Sequence, residues 1–579
     1  MKPFLFVLSG VFALGVLGCQ DPLVVNNANN PDRNKGLGTP TDLESFLSQA
    51  YTVVHQGTLG GATVPGGGGN DALQPQLLTA GMESVSGLAN FAMGPRSAIP
   101  RNPIDNTIGS QGNLGNYRDF VVEHRAAFMA ALSLEKLKAL GTLGSPARDA
   151  RARAFARFVQ GVALGNLALA YDSAIVITEN NTNTAIIPLT DHDSVKKVAL
   201  SYLDSAIAIA SGAKPTGSAS DWFPIPSTWV NGVGLSTTLF AQLAHSYKAR
   251  FRAGAARTPA ERAAVDWAAV VVDASAPNGI TSNLSITMNP PPAGAWDITW
   301  VGQQFATGSA NWHQMSQFWL GMADTSGGYD QWLAKTLPVC GRCQFLVVTP
   351  DKRFPSGTTR ALQNASSPPT GTTVTFDAML PYVRNRLAGE DQPGDLLQIS
   401  MYDFYRSRGF FNANDVGPYP VMTAAEIRLL AAEGYLRLGG VGNIKQGVKL
   451  INASRVGVGG LPPLDTLATD TAAVVPGGVA CVPRVPDSAP AVNFKATKCG
   501  NIWDALKWEY RLETMYAGYG MWFFAGRGWG DLPEGTPVHW PVPYQELQVR
   551  AEPIYGIGGV GQIGGAGKGN YGLFQGGVY

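Results

Sequence analysis

Glu509 and Glu513 are the acidic pair whose spacing most directly suggests chemistry, because residues four apart share one face of a helix. Two carboxyl groups ~5–9 Å apart are what a retaining or inverting glycosidase uses as acid, base or nucleophile. Lys507 and Arg511 flank the pair, and that surrounding charge argues for structural ion pairs instead. Glu426 is accounted for by a helix cap, Glu433 by a pair with Arg437 one turn on, and Arg455 by securing a helix end or loop. His55, His124, His192, His245, His313 and His539 are widely scattered. No His-Glu-x-x-His, nucleotide-binding glycine motif or Gly-x-Ser-x-Gly elbow occurs. The expectation is therefore no catalytic set, no metal centre and no cofactor.

A second cluster suits binding. Trp296, Trp300, Trp312, Phe318, Trp319, Tyr329 and Trp332 fall within 37 residues. Tryptophan rings stack on sugar rings or pack around greasy ligands, while neighbouring polar groups fix orientation. The candidate ligand-binding residues are Trp296, Trp300, Asn311, Trp312, His313, Trp319, Asp324 and Tyr329, with Gln314 nearby. Trp312 and Trp319 are also seven apart, the spacing of a core stripe, so binding surface and packed core both stay open. Asp297, Asp324 and Asp330 keep open a helical polysaccharide-degrading enzyme, and a structural helical-repeat scaffold is the other alternative.

The chain carries 43 basic and 42 acidic residues among 579, so no cationic excess draws it to nucleic acid. Lys2, an apolar run from Phe4 to Leu17, and then Gly18-Cys19 read as an export signal too short to span a bilayer. Leu14-Gly-Val-Leu-Gly-Cys19 resembles a bacterial lipobox. That resemblance implies cleavage after residue 18 and a lipid (palmitate among its chains) on Cys19. Of the remaining cysteines, Cys340 and Cys343 are close enough to pair, as are Cys481 and Cys499, 18 residues apart. Structural disulfides are the expectation in an exported chain, with a four-cysteine zinc site or a redox CxxC as alternatives.

Helical periodicity must position these groups. It predicts helices over 41–56 (opened by a Thr41–Glu44 capping box), 117–140, 147–170, 193–211, 235–253 and 260–274. Further helices are predicted over 424–438 (capped by Thr423), 443–455 and 503–517. Alanines and glycines crowd 147–170, as close helix packing requires. Residues 275–420 change character, with Pro290-Pro-Pro292, clustered aromatics and short apolar runs such as Phe345–Val348. The expected fold is mainly α: degenerate tetratricopeptide-like helical pairs with a loop-rich, aromatic second lobe. The expected organisation is a signal (1–18), tether (19–40), helical repeats (41–274), loop-rich ligand lobe (275–420), C-terminal helices (421–549) and a glycine-rich tail (550–579).

Taken together, the motifs resemble the SusD/RagB family of outer-membrane nutrient-binding lipoproteins, over essentially the whole mature chain. The lipobox is followed by the small-residue helix at 150–170. Ala425-Glu-Ile-Arg-Leu-Leu-Ala-Ala-Glu433 then leads to Ile451-Asn-Ala-Ser-Arg455, similar to the family's paired helices ending in Asn-x-x-Arg. Trp508-Glu-Tyr-Arg-Leu-Glu513, His539-Trp-Pro-Val-Pro543 and the ending Leu573–Tyr579 are similar to its later segments. Where the family usually continues with Glu-Gly, Arg and Asp, this chain has Ala517-Gly518, Gly520 and Phe523, so Tyr519, Trp522, Phe523 and Phe524 are expected to replace an acidic–arginine network. The resemblance implies a non-catalytic, surface-exposed outer-membrane lipoprotein that captures a glycan, or alternatively a peptide. It further implies a TonB-dependent barrel transporter as the partner that receives the nutrient.

Overall fold

The computed structural model of the protein is mainly α-helical and describes residues 36–59, 73–85, 93–110, 113–288, 314–367, 376, 380–386, 400–413 and 416–579. The helices that build the frame are α1 (Pro40–Ser48), α2 (Ala50–Leu59), α3 (Asn113–Leu140), α4 (Pro146–Ala170), α5 (His192–Ser211), α6 (Thr237–Gly254) and α7 (Trp267–Ala274). They are followed by α8 (Ala424–Leu438), α9 (Val441–Arg455), α10 (Ile502–Thr514) and α11 (Met521–Trp529). From α2 to α9 each helix packs on the next in this series, and α10 closes on both α8 and α9. Serial packing of helical pairs is the signature of an α-solenoid. The small residues of α4 permit it: a β-carbon on Gly165 would fall 2.1 Å from the Phe251 ring of α6, and one on Gly161 would fall 2.7 Å from Leu203 of α5. No helix among the described residues is long and apolar enough to cross a membrane.

Several helix ends differ from their sequence expectation. The first helix is capped by Thr39, whose hydroxyl accepts from the Asp42 amide at 3.2 Å, and not by Thr41. Pro40, with φ preset and no amide to satisfy, takes the first helical position. Glu44 is then free to bind Arg148 and Arg151 of α4 at 2.5 and 2.8 Å. The single helix expected over 260–274 is two, because the Asp266 carboxylate accepts from the Ala269 amide and starts α7 afresh after Pro259–Ala263. Thr423 does cap α8 through the Glu426 amide at 3.1 Å. The Glu426 carboxylate does not close a capping box, however; it takes the Arg250 guanidinium of α6 at 2.6 and 2.7 Å.

Two hydrophobic cores meet at α10. Ile502, Ala505, Leu506 and Tyr510 face the helical core, while Trp508, Leu512 and Met515 face the core of the loop-rich lobe. That second core has little regular structure; the described strands form only two-stranded sheets. The longest pairs β1 (Leu284–Met288) with β2 (Gly417–Met422), antiparallel, with Ile286 opposite Tyr419. Pro418 and Pro420 stand in β2, which pairs with no other described strand, a position where proline is tolerated. Phe345–Val348 is a buried extended piece, its alternate residues Phe345 and Val347 inside. Cys481 and Cys499 form a disulfide. The second expected bridge is corrected: Cys340 and Cys343 are free thiols. Their turn is drawn inward by the Arg342 side chain, which donates to the Trp332 and Leu333 carbonyls at 3.2 Å.

Glu433 and Glu83 show the two states of a buried acid in this fold. Glu433 is held by Arg262 at 2.6 and 2.8 Å and by the Trp529 indole at 2.9 Å; the expected partner Arg437 adds a longer contact at 3.3 Å. Glu83 is 1 % exposed, and its Oε1 has no hydrogen-bond partner among the described residues. Burial pushes its carboxyl up to about 8, against the pull of Arg511. Arg262→Met should therefore cost ~3–5 kcal/mol in denaturant unfolding by stranding the Glu433 charge, whereas Arg437→Ala, removing the half-exposed partner, should cost under ~1 kcal/mol. A carboxyl protonated in the fold and ionised in the unfolded chain lowers stability as pH rises between the two pKa values. Melting of Glu83→Gln against wild type should consequently show a gap that widens in favour of the variant from about pH 5 to about pH 8.

Candidate ligand-binding pocket

The aromatic candidates within the described residues turn inward. Trp319 has no exposed surface, donates its indole N–H to the Glu83 carbonyl at 3.1 Å and packs 5.9 Å from the Trp508 ring. Tyr329 is 1 % exposed and stacks between Trp332 and Phe345, at 5.8 and 6.0 Å. Gly321 lies beneath its ring, where a β-carbon would come within 2.2 Å. Asp324 is a loop organiser: it accepts from the Ser326 hydroxyl, the Tyr329 amide and the Val348 amide at 2.8, 3.1 and 3.0 Å. Trp319, Asp324 and Tyr329 are thus core residues and not a binding surface. Their ring and polar groups are satisfied by the chain itself, apart from the Tyr329 hydroxyl. Gln314 is buried in a strand paired with Ser84–Val85. Trp296, Asp297, Trp300, Asn311, Trp312, His313 and the lipidation candidate Cys19 lie outside the described residues.

The carboxylates are committed in the same way. Glu509 receives Arg353 at 2.6 and 3.0 Å, and Glu513 receives Arg353 at 3.4 Å and Arg406 at 3.3 Å. Lys507 and Arg511, their expected partners, are used elsewhere: Lys507 binds Asp531 at 2.9 Å, and Arg511 lies 3.6 Å over the Trp522 ring. Burial works against charge on Arg353, yet the carboxylates of Asp351 and Glu509 outweigh it and hold the guanidinium well above its ordinary value. Asp330 accepts from the Thr497 amide and hydroxyl at 2.7 and 2.6 Å. Burial lowers four histidines below their ordinary value: His55 to about 3, His124 and His192 to about 4 and His539 to about 2. His245 faces Asp273 at 2.7 Å, beside Lys248 and Arg252. No group of three or more metal-ligating side chains occurs among the described residues.

What the lobe does offer is a cavity of about 280 Å³ over the β1–β2 ladder. Its wall is built from Ser285 on β1, Pro418, Tyr419 and Pro420 on β2, and Phe410 on the short helix Arg408–Asn412. The Phe410 and Tyr419 rings meet at 5.7 Å, tilted by 54°. Tyr419 is fixed from behind by its hydroxyl, which donates to the Tyr516 carbonyl. Phe376 closes another side; it is held by Arg406, whose guanidinium lies 4.0 Å from both the Phe376 and Tyr382 rings. Ser407 belongs to this lining, 4 % exposed, and its buried hydroxyl has no hydrogen-bond partner among the described residues. Among the described residues, no charged side chain belongs to the lining. Rings at several angles can hold a small ring-shaped group by its apolar face. The sequence reading missed Ser407, Phe410 and Tyr419. Their only signal is the run of aromatic, glycine and proline residues across 404–420.

No protein-family model matches the chain, and no curated protein does. Solved structures similar to it include a SusD superfamily protein of Bacteroides thetaiotaomicron, at 13 % identity and TM-score 0.49, covering 88 % of this chain and 96 % of that one. A SusD superfamily protein of Bacteroides vulgatus is similar at 12 % identity and TM-score 0.46, over 89 % of this chain and 90 % of that one. A SusD-like carbohydrate-binding protein of the same species is similar at 12 % identity and TM-score 0.46, over 83 % of this chain and 82 % of that one.

Proposed function

We propose that this chain is a non-catalytic capture protein of the SusD/RagB type. It holds a glycan in the Phe410–Tyr419 pocket and delivers it to a TonB-dependent outer-membrane barrel, tethered by lipid on Cys19. The observation that carries the binding reading is the pocket's chemistry: aromatic and proline walls and, among the described residues, a Ser407 hydroxyl without a hydrogen-bond partner and no charged group in the lining. A sugar ring has an apolar face for the rings and hydroxyls for Ser407, whereas a peptide's charged termini find no counter-charge among the described lining residues. The commitment of Glu509, Glu513, Asp324 and Asp330 to ion pairs, amides and hydroxyls supports capture over hydrolysis. The order of lipobox, small-residue helix and Asn-x-x-Arg helix pair supports export and a barrel partner.

Titration calorimetry with a panel of soluble oligosaccharides should find at least one that binds and is recovered chemically unchanged. Phe410→Ala should weaken that sugar about tenfold or more with little change in melting. Ser407→Ala should weaken it by the several-fold worth of one hydrogen bond, ~0.5–1.5 kcal/mol. Crosslinking in intact cells should recover a barrel protein with the wild type, and Cys19→Ala should release the chain from the membrane. Hydrolysis of the bound sugar, or binding untouched by both pocket variants, would sink the reading.

A further inference from the structure

Helix α10 brings Lys507 to the turn that ends α11, where Gly530 adopts φ +74°. The Asp531 amide donates back to the Gly526 carbonyl at 2.9 Å, which anchors the residue to the helix end. The glycine-rich tail delivers Asn570 to the same turn. Its backbone amide donates to the Gly530 carbonyl at 2.9 Å, and its side-chain Nδ2 to the Trp529 carbonyl at 2.7 Å. One carboxylate oxygen then gathers two side chains from distant segments. Asp531 Oδ1 accepts from Lys507 Nζ at 2.9 Å and from Asn570 Nδ2 at 2.8 Å. Water is largely kept out. The Asp531 side chain has no exposed surface, the Lys507 side chain is 12 % exposed, and Nζ lies 5.9 and 5.4 Å from the Trp529 and Tyr571 ring centres. The second Asp531 oxygen has no hydrogen-bond partner among the described residues. Burial raises the carboxyl above its ordinary range, against the pull of Lys507.

We propose that Lys507 and Asn570 join in an intramolecular isopeptide bond, with Asp531 as the acid–base group that moves the protons. The turn holds a nucleophile, an electrophile and a proton carrier together. A first proton passes from Lys507 Nζ to the Asp531 carboxylate and frees the lone pair that attacks Asn570 Cγ. As the Nζ–Cγ bond forms and the Cγ–Nδ2 bond breaks, Asp531 hands that proton to the departing nitrogen and takes a second one from Nζ. Ammonia leaves, and it takes up the proton left on Asp531 as ammonium. No oxidant or outside reactant is needed. Holding both groups on one oxygen supplies the proximity that an amine and an unactivated amide lack in solution. The product is a covalent strut from α10 to the tail beyond Val549, which has no helix or strand of its own. Such a link restricts the unfolded chain as a disulfide does.

The test is a tryptic map of the reduced, unfolded full chain by mass spectrometry. An acylated Lys507 is not cut, so residues 499–511 should be recovered joined to residues 569–579, lighter than the two peptides together by one ammonia. Asp531→Asn, which cannot carry the proton, and Asn570→Ser should each restore cleavage after Lys507. Asn570 lies in an exposed turn, so its serine variant keeps the fold. Separate peptides ending at Lys507 and beginning at Gly569 in the wild type, or an undiminished branched peptide in Asp531→Asn, overturn the proposal.

Discussion

Arg353 is the residue on which the two halves of the molecule are joined. It has no exposed surface, and its guanidinium is shared by Asp351, Glu509 and Glu513. Asp351 also takes the Trp508 indole at 3.0 Å, and the Arg353 carbonyl accepts from the Tyr382 and Val383 amides. Arg353 therefore ties the 351–353 loop to helix α10 through its side chain and to the strand Val383–Asn385 through its carbonyl. Its charge survives burial because three carboxylates surround it. Any of them left without it is a desolvated ion, which is far costlier than the intact cluster. The pocket hangs from the same knot. Glu513 passes the interaction on to Arg406, and Arg406 supports Phe376, one wall of the cavity.

The pattern recurs along the frame. Glu426 takes Arg250, Glu433 takes Arg262 and Glu509 takes Arg353, each a helix acid met by an arginine from a distant segment. Only 15 % of the chain is charged, and an appreciable part of that charge is invested in the interior. Buried pairs of this kind specify which surfaces dock more than they add net stability. They also decide what the acids can do. A carboxylate held by two guanidinium bonds in a dry core meets neither substrate nor water, so helix spacing that looked suitable for hydrolysis serves assembly.

The helices were legible because apolar spacing and small residues act locally: α4, α5, α6, α8 and α9 lie within a few residues of where periodicity puts them. So was the Asn-x-x-Arg end of α9. Asn452 clamps Leu464 through both its amide atoms, and Arg455 secures the Pro462 and Val482 carbonyls. The partners of the acids were not legible. Arg353 is 156 residues from Glu509, and the nearer cations Lys507 and Arg511 drew the inference toward themselves. Aromatic clustering likewise counts rings without saying which way they point. Trp319 and Tyr329 turned into the core, while the pocket came from Phe410 and Tyr419, which a short helix and a proline-flanked strand bring together. The turn at Cys340 and Cys343 depended on Arg342 finding a helix end to cap, which the spacing of two cysteines does not encode.

The central claim is that Glu509 is a structural ion locked to Arg353 and not a reacting group. A double-mutant cycle with Arg353→Met, Glu509→Gln and the pair together, read by urea unfolding, tests it directly. The account predicts a coupling of at least ~1.5 kcal/mol, with the double variant losing less than the two single losses combined. Additive losses, together with a sugar-cleaving activity that Glu509→Gln alone abolishes, would contradict it.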